Sequence, residues 1–182
     1  MANNPFQIAE PAIDSNPRVR TPQRETYAAL AALAASDTEV KEREVGIVLP
    51  VGCGKSGCIT LAPFAFRSKR TLVLAPGLNI AEQLAKDFDP TNPKMFYLKC
   101  GILSAPPYPE PVEIRGTTTN RGDLDEAHVV ITNIQQLQGD ANPWLAKLPS
   151  DYFDLILCDE GHHSVAATWA KLKTKFPAAR IV

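Results

Sequence analysis

Val45-Gly46-Ile47-Val48-Leu49-Pro50-Val51-Gly52-Cys53-Gly54-Lys55-Ser56-Gly57 is the stretch that decides the fold. An apolar run of strand composition breaks at Pro50, passes through Gly52 and Gly54 into Lys55 and Ser56, and then becomes compatible with helix. Strand, glycine loop and helix in that order make a phosphate cradle. Glycines without Cβ atoms let backbone N–H groups turn inward, and the helix N-terminus behind them adds free donors and its dipole. Lys55 would then reach the β- and γ-phosphates of a nucleoside triphosphate, and the Ser56 hydroxyl would ligate Mg²⁺. The strict pattern for such a loop opens on glycine, whereas here that position is Leu49. A glycine-rich turn that holds no ligand is the competing interpretation, and the rest of the chain has to decide between them.

The other apolar runs point one way. Glu44 to Pro50, Arg70 to Pro76, Lys94 to Cys100, His128 to Asn133 and Phe153 to Asp159 are continuous, not alternating. Strands buried on both faces have that composition, which is the signature of a parallel sheet covered by helices. Between them lie helical stretches at Lys55 to Phe66, where Pro63 should kink or end the helix, at Leu78 to Phe88, and at Ile134 to Leu137. In the second of these Ile80, Leu84 and Phe88 share a face. Ser164 to Phe176 places Val165, Trp169, Leu172 and Phe176 on one helical face, with Lys171, Lys173 and Lys175 directed mostly outward. Ala179 to Val182 begins a sixth apolar strand. An α/β open sheet of the three-layer P-loop kind is the consistent fold.

Two segments stand outside that rhythm. Residues 1 to 19, with Pro5, Pro11 and Pro17 among polar residues, are expected to be a flexible leader to a domain spanning 20 to 182. Thr21 followed by Pro22 predicts a helix start, a hydroxyl cap with proline at the first helical position, and the helix should run through Tyr27, Leu30 and Leu33 toward Ala35. Gly101 to Asp123 carries four prolines and no period, and is expected to be an irregular insert with a short strand at Val112 to Arg115.

Composition excludes several classes. The chain has 182 residues, 45% hydrophobic and 21% charged, enough for one domain with a full core. Lysine plus arginine number 19 against 20 for aspartate plus glutamate, so no field of one sign draws it onto nucleic acid. Neither a basic start with an apolar core nor a run of membrane-span length occurs, and an intracellular protein with no membrane partner is expected. Cys53, Cys58, Cys100 and Cys158 form no CxxC pair, which removes a zinc site and a disulfide framework.

The second half of the site is Phe153 to Glu160, FDLILCDE, an apolar strand ending in two adjacent carboxylates. At the carboxyl end of a parallel strand they would lie on the edge where open α/β sheets bind ligands. Asp159 would hold the Mg²⁺ that Ser56 also touches, and Glu160 would polarise an attacking water. A glutamate in that place favours hydrolysis over phosphate transfer, and no NKxD tetrapeptide reads guanine. His162 and His163 have no third ligand at metal-binding spacing.

Asp159-Glu160-Gly161-His162 resembles the DExH box of superfamily 2 helicases and translocases. PVGCGKSG at 50 to 57 is similar to motif I of that superfamily, TLVLAPGLNIAEQL at 71 to 84 to motif Ia, and VVITNIQQL at 129 to 137 to the threonine-bearing motif that follows. Pro22 and Gln23 resemble the Q-motif region. The flavour is that of DEAD/DEAH-like translocating subunits of restriction enzymes, whose first domain is RecA-like. The resemblance implies an ATP-dependent motor acting on DNA or RNA. Gln23 would contact adenine; Gly52, Cys53, Gly54, Lys55, Ser56 and Gly57 the nucleotide; Ser56 and Asp159 the Mg²⁺; and Glu160 the hydrolytic water. His162 would couple the nucleotide to nucleic-acid motifs, and Thr132 with backbone near Pro76 and Gly77 would touch the sugar-phosphate chain. Motif Ia usually carries a basic residue after its proline, and this chain has Gly77 and Leu78 there. The strand entered by FPAARIV would lead to a Ser/Thr-Ala-Thr motif and a second RecA-like domain with an arginine finger, so the chain is expected to be truncated before them. The alternatives are a non-catalytic ATP-binding or interaction module derived from a helicase, and a P-loop phosphotransferase.

Overall fold

The structure, a computed structural model, describes residues 3–36, 44–116, 120–137, 145, 147–160 and 166–182. Three of the five continuous apolar runs, those within Arg70 to Pro76, His128 to Asn133 and Phe153 to Asp159, form the middle of a parallel sheet, as their composition predicts. Thr71–Ala75 (β1) is buried at every residue and lies between Val129–Asn133 (β3) and Leu155–Cys158 (β4), with Leu72 in register with both Val130 and Ile156. Pro111–Glu113 (β2) flanks β3, and Arg180–Ile181 (β5) flanks β4, so the order is β2-β3-β1-β4-β5 with every pairing parallel.

Side chains alternate between two cores. Val73, Ala75, Ile131 and Leu157 face a layer built by Thr21–Ala35 (α2), Lys55–Ala65 (α3), Leu78–Phe88 (α4) and the short Phe96–Lys99 (α5), which contribute Leu30, Leu61, Leu84, Phe88 and Tyr97. Leu72, Leu74, Val130 and Ile156 face the other layer, where Arg121–Glu126 (α6) supplies Leu124 and Ala166–Lys175 (α7), with the residue after it, supplies Leu172 and Phe176. In α7 the expected apolar face holds for Leu172 and Phe176, Trp169 is half-buried, and Val165 lies outside the described residues. In α4 the buried face is Ala81, Leu84 and Phe88, and Ile80 is exposed, because Ala81 is the residue that meets the sheet.

Three sequence expectations are corrected. Residues 4 to 19 are part of the core, not a flexible leader. Asn4 caps Pro5–Ile8 (α1) by accepting from the Phe6 amide at 3.0 Å, and its side-chain nitrogen donates to the carbonyls of Ser68 and Lys69 at 3.0 and 2.9 Å. Phe6, Ile13 and Val19 are buried, and Phe6 starts an edge-to-face aromatic ladder through Phe64, Tyr97 and Phe88. The prolines that suggested disorder restrict the unfolded chain instead.

Lys94 to Cys100 contains helix α5, not a strand. The place beside β3 belongs to β2, and Phe96 and Tyr97 are buried side by side, with the Tyr97 hydroxyl donating to the Thr60 carbonyl at 2.6 Å. An apolar run alone does not separate a buried strand from a buried helix turn. The insert from 101 to 123 accordingly contains β2 and the start of α6, with Ile102, Leu103 and Ile114 buried.

Glu44 to Pro50 is the third. Only its start is paired, through a bridge from Glu44 to Ile181 and a 2.9 Å bond from the Val45 amide to the Ile181 carbonyl. Among the described residues Gly46 to Pro50 is in no strand, and Val48 is 95% exposed. A groove of about 970 Å³, lined by Leu30, Ile59, Leu157, Trp169 and Ile181 among others, separates this segment from the sheet.

Helix α2 also begins one residue earlier than expected. Arg20 is the N-cap and Thr21 is already helical, because Gln23 turns back to bond the Arg20 amide at 3.0 Å. At the opposite end of the sheet from the loop, Asp154 accepts from the Ser68 hydroxyl and from the amides of Lys69 and Arg70 at 2.6, 2.7 and 3.0 Å, which pins the starts of β1 and β4 together.

If residues 4–19 belong to the core, Phe6→Ala should cost about 3 to 5 kcal/mol of stability. Thermal unfolding should shift down by about 10 °C, and an unchanged midpoint would contradict the packing described for α1.

Candidate nucleotide site

The loop that follows the unpaired segment turns through two left-handed glycines, Gly52 and Gly54, each with φ 84°. Side chains rarely adopt that conformation, so the loop depends on glycine at these two places. Gly54 is the N-cap of α3, and its carbonyl accepts from the Gly57 and Cys58 amides. Lys55 is therefore the first helical residue, with Ser56 one step into the turn whose backbone donors lack intrahelical partners.

The acidic pair arrives from the other side. Strand β4 ends at Cys158, and the Asp159 amide donates to the Leu74 carbonyl at 2.9 Å, holding the turn against the end of β1. Glu160 then adopts φ 56°, a left-handed value uncommon for a residue with a side chain. Its carboxylate meets Lys55, with Nζ to Oε1 2.9 Å across 105 positions of sequence, the two side chains 38% and 31% exposed. The loop lysine and the second of the paired acids thus meet at one sheet edge.

Charges at this edge perturb one another. The hydrogen bond to the Glu160 carboxylate pushes the Lys55 amine above its ordinary value, against a smaller effect of burial. Burial, and then the neighbouring Glu160 carboxylate, pushes the Asp159 carboxyl up, with Lys55 acting the other way. Among the described residues no cluster of three or more histidine, cysteine, aspartate or glutamate side chains could hold a metal ion by itself. The oxygen donors of Ser56 and Asp159 suit Mg²⁺, which takes few protein ligands and completes its shell with phosphates and water.

Gln23 is buried and lies against the loop. Its Nε2 donates to the Gly54 carbonyl at 3.0 Å. Arg20, which the sequence did not single out, donates from Nη1 to the Gly52 carbonyl at 2.6 Å. The available signal was its place three residues before Gln23 at a helix start.

Of the residues assigned to nucleic acid, Pro76 and Gly77 lie just past the end of β1, where Gln135 Nε2 donates to the Pro76 carbonyl at 3.1 Å. Gly77 is the N-cap of α4, with no side-chain cap, and Leu78 beside it is exposed. Thr132 is corrected: it is fully buried within β3 in register with Leu74, and its hydroxyl has no partner among the described residues, so it is closed to direct contact with a ligand. His162 lies outside the described residues.

A parallel sheet with a glycine loop, a lysine and an acidic turn at one edge defines a RecA-like α/β domain. The chain belongs to the family described as "Type III restriction enzyme, res subunit", whose model matches residues 16–182. That membership bears out the resemblance to superfamily 2 DExH/DEAD-like helicases. Among solved structures it is similar in fold to a hypothetical ATP-dependent RNA helicase from Sulfolobus tokodaii, with a TM-score of 0.52 and 14% identity over 86% of this chain and 48% of that one. The chain thus spans about half the length of that protein. No curated protein matches it. Among the described residues no helix is long and apolar enough to cross a membrane.

The raised Asp159 carboxyl gives a prediction with a definite sign. The folded state binds this proton more tightly than the unfolded state, so its contribution to stability is present at low pH and lost as pH rises through the raised value. Asp159→Asn should therefore melt higher than the wild type near neutral pH without nucleotide, and the two curves should converge as pH falls below the ordinary aspartate range. A variant that melts lower than the wild type at neutral pH would show that the ionised Asp159 is not a strained group.

Proposed function

We propose that this chain is the ATP-binding and ATP-hydrolysing first motor domain of a nucleic-acid helicase or translocase. The observation that carries it is the 2.9 Å contact between Lys55 and Glu160, which puts the loop and the acidic turn within reach of one triphosphate. The two charges neutralise each other across this contact. A bound triphosphate offers Lys55 a stronger partner in its phosphate oxygens, and the exchange leaves Glu160 free to take a proton from an attacking water. Gly52 to Gly57 would present backbone donors, and Ser56 and Asp159 would hold Mg²⁺. When bound, that ion would neutralise charge on the phosphates. The protein's own part is to hold the two carboxylates at the end of β4 and the lysine at the end of the loop.

DNA or RNA would pass over the same edge, with backbone near Pro76 and Gly77 at the amino end of α4 as contacts and His162 as the coupling residue. A second RecA-like domain would supply the arginine finger, whose absence costs about 10³ to 10⁵ in turnover in this reaction class. Turnover by this chain alone should be correspondingly slow. Unwinding requires two domains to move against each other.

Lys55→Ala should abolish Mg-ATP binding in a titration, whereas Glu160→Gln should keep binding and lose turnover by about 10² or more in the presence of the second domain. Wild type and Glu160→Gln turning over ATP at equal rates, with or without single- and double-stranded DNA and RNA, would reject the proposal.

A further inference from the structure

Pro63 stands inside α3, the helix that begins with Lys55 and Ser56, and the helix runs past it to Ala65. Proline has no N–H, so the Ile59 carbonyl receives none from position 63, and the ladder is interrupted between the first turns and the rest. A helix interrupted in this way bends where its neighbours direct it. The direction of the front turns decides where the lysine and the serine point.

Tyr97, on the short α5, spans the interruption. It is fully buried, and its ring packs edge-to-face on Phe64, just beyond Pro63, with centroids 5.5 Å apart. Phe88 and Phe96 meet the same ring at 6.0 and 6.3 Å and hold it in place. Its hydroxyl donates at 2.6 Å to the carbonyl of Thr60, on the other side of Pro63. Burial, with a smaller push from the Asp87 carboxylate, raises the phenol well above its ordinary value, so the proton that makes this bond is retained. The fully buried Thr60 passes the contact on, because its Oγ1 donates to the Gly57 carbonyl at 2.8 Å, next to Ser56. Phe96 closes on the same point: a Cβ on Gly57 would lie 2.8 Å from its Cζ.

We propose that Tyr97 is a positioning residue, a splint across Pro63 that sets the direction in which the first turn of α3 presents Lys55 and Ser56 to a triphosphate. This inference rests on the nucleotide-site reading above. Two parts of one side chain divide the work: the ring fills the core, and the hydroxyl aims the turn.

The test uses the 182-residue chain with Tyr97→Phe, which keeps the ring and removes the hydroxyl, and Pro63→Ala, which gives the Ile59 carbonyl its missing N–H, singly and together. The first readout needs no nucleotide: amide hydrogen exchange followed by mass spectrometry. Loss of the one hydrogen bond in Tyr97→Phe should speed exchange about fivefold from Cys58 to Leu61 and leave β1 and β3 unchanged. The second readout is affinity for Mg-ATP, which should weaken about fivefold. With Pro63→Ala in place, Tyr97→Phe should change either quantity by less than about twofold, because the restored ladder already fixes the turn. Thr60→Val breaks the same link one step on and should have the same effect, so the splint is decided even if Tyr97→Phe does not fold. Exchange that rises as much in β1 and β3, an unchanged Mg-ATP affinity, or an equal loss in both backgrounds would overturn the splint. A wild type that does not bind Mg-ATP would overturn the nucleotide reading, while the exchange pattern in the two backgrounds would still decide the splint.

Discussion

The ion pair between Lys55 and Glu160 is the contact on which the reading of this sheet edge depends. It joins residues 105 positions apart, and it forms only if β4 lies beside β1 and α3 starts at the same sheet edge. Parallel pairing guarantees that edge, because every strand then ends where the next helix begins.

The two ends of the sheet differ in kind. At the amino ends Asp154 ties Ser68, Lys69 and Arg70 together, and the Arg70 guanidinium stacks 4.0 Å over the Tyr152 ring, whose hydroxyl donates to Asp125 at 2.9 Å. Those groups satisfy one another. At the carboxyl ends Gly52, Gly54 and Glu160 are left-handed, the Thr132 hydroxyl is buried with no partner among the described residues, and Asp159 is held above its ordinary pKa by burial.

Much of this was legible in advance, and the failures have a common cause. The unbroken apolar character of β1, β3 and β4 announced strands buried on both faces, and the pattern from Leu78 to Phe88 announced its helix. Composition does not say what sits next to a segment. Lys94 to Cys100 has strand residues but yields its place to β2. Residues 4 to 19 look like a tail, yet Phe6 enters an aromatic ladder. In each case the outcome depended on a distant neighbour, as strand pairing and core burial always do.

The order of residues by itself determined that a glycine loop with Lys55 and Ser56 precedes a helix, that Asp159 and Glu160 close an apolar strand, and that the layers are α/β. These are local properties, written in side-chain size, backbone freedom and periodicity. Only the tertiary structure decided that Glu160 turns onto Lys55, that Thr132 is sealed inside the sheet, and that Arg20 and Gln23 rest on the loop carbonyls. Those are facts of a few ångströms between residues far apart in the chain, and no local pattern carries them.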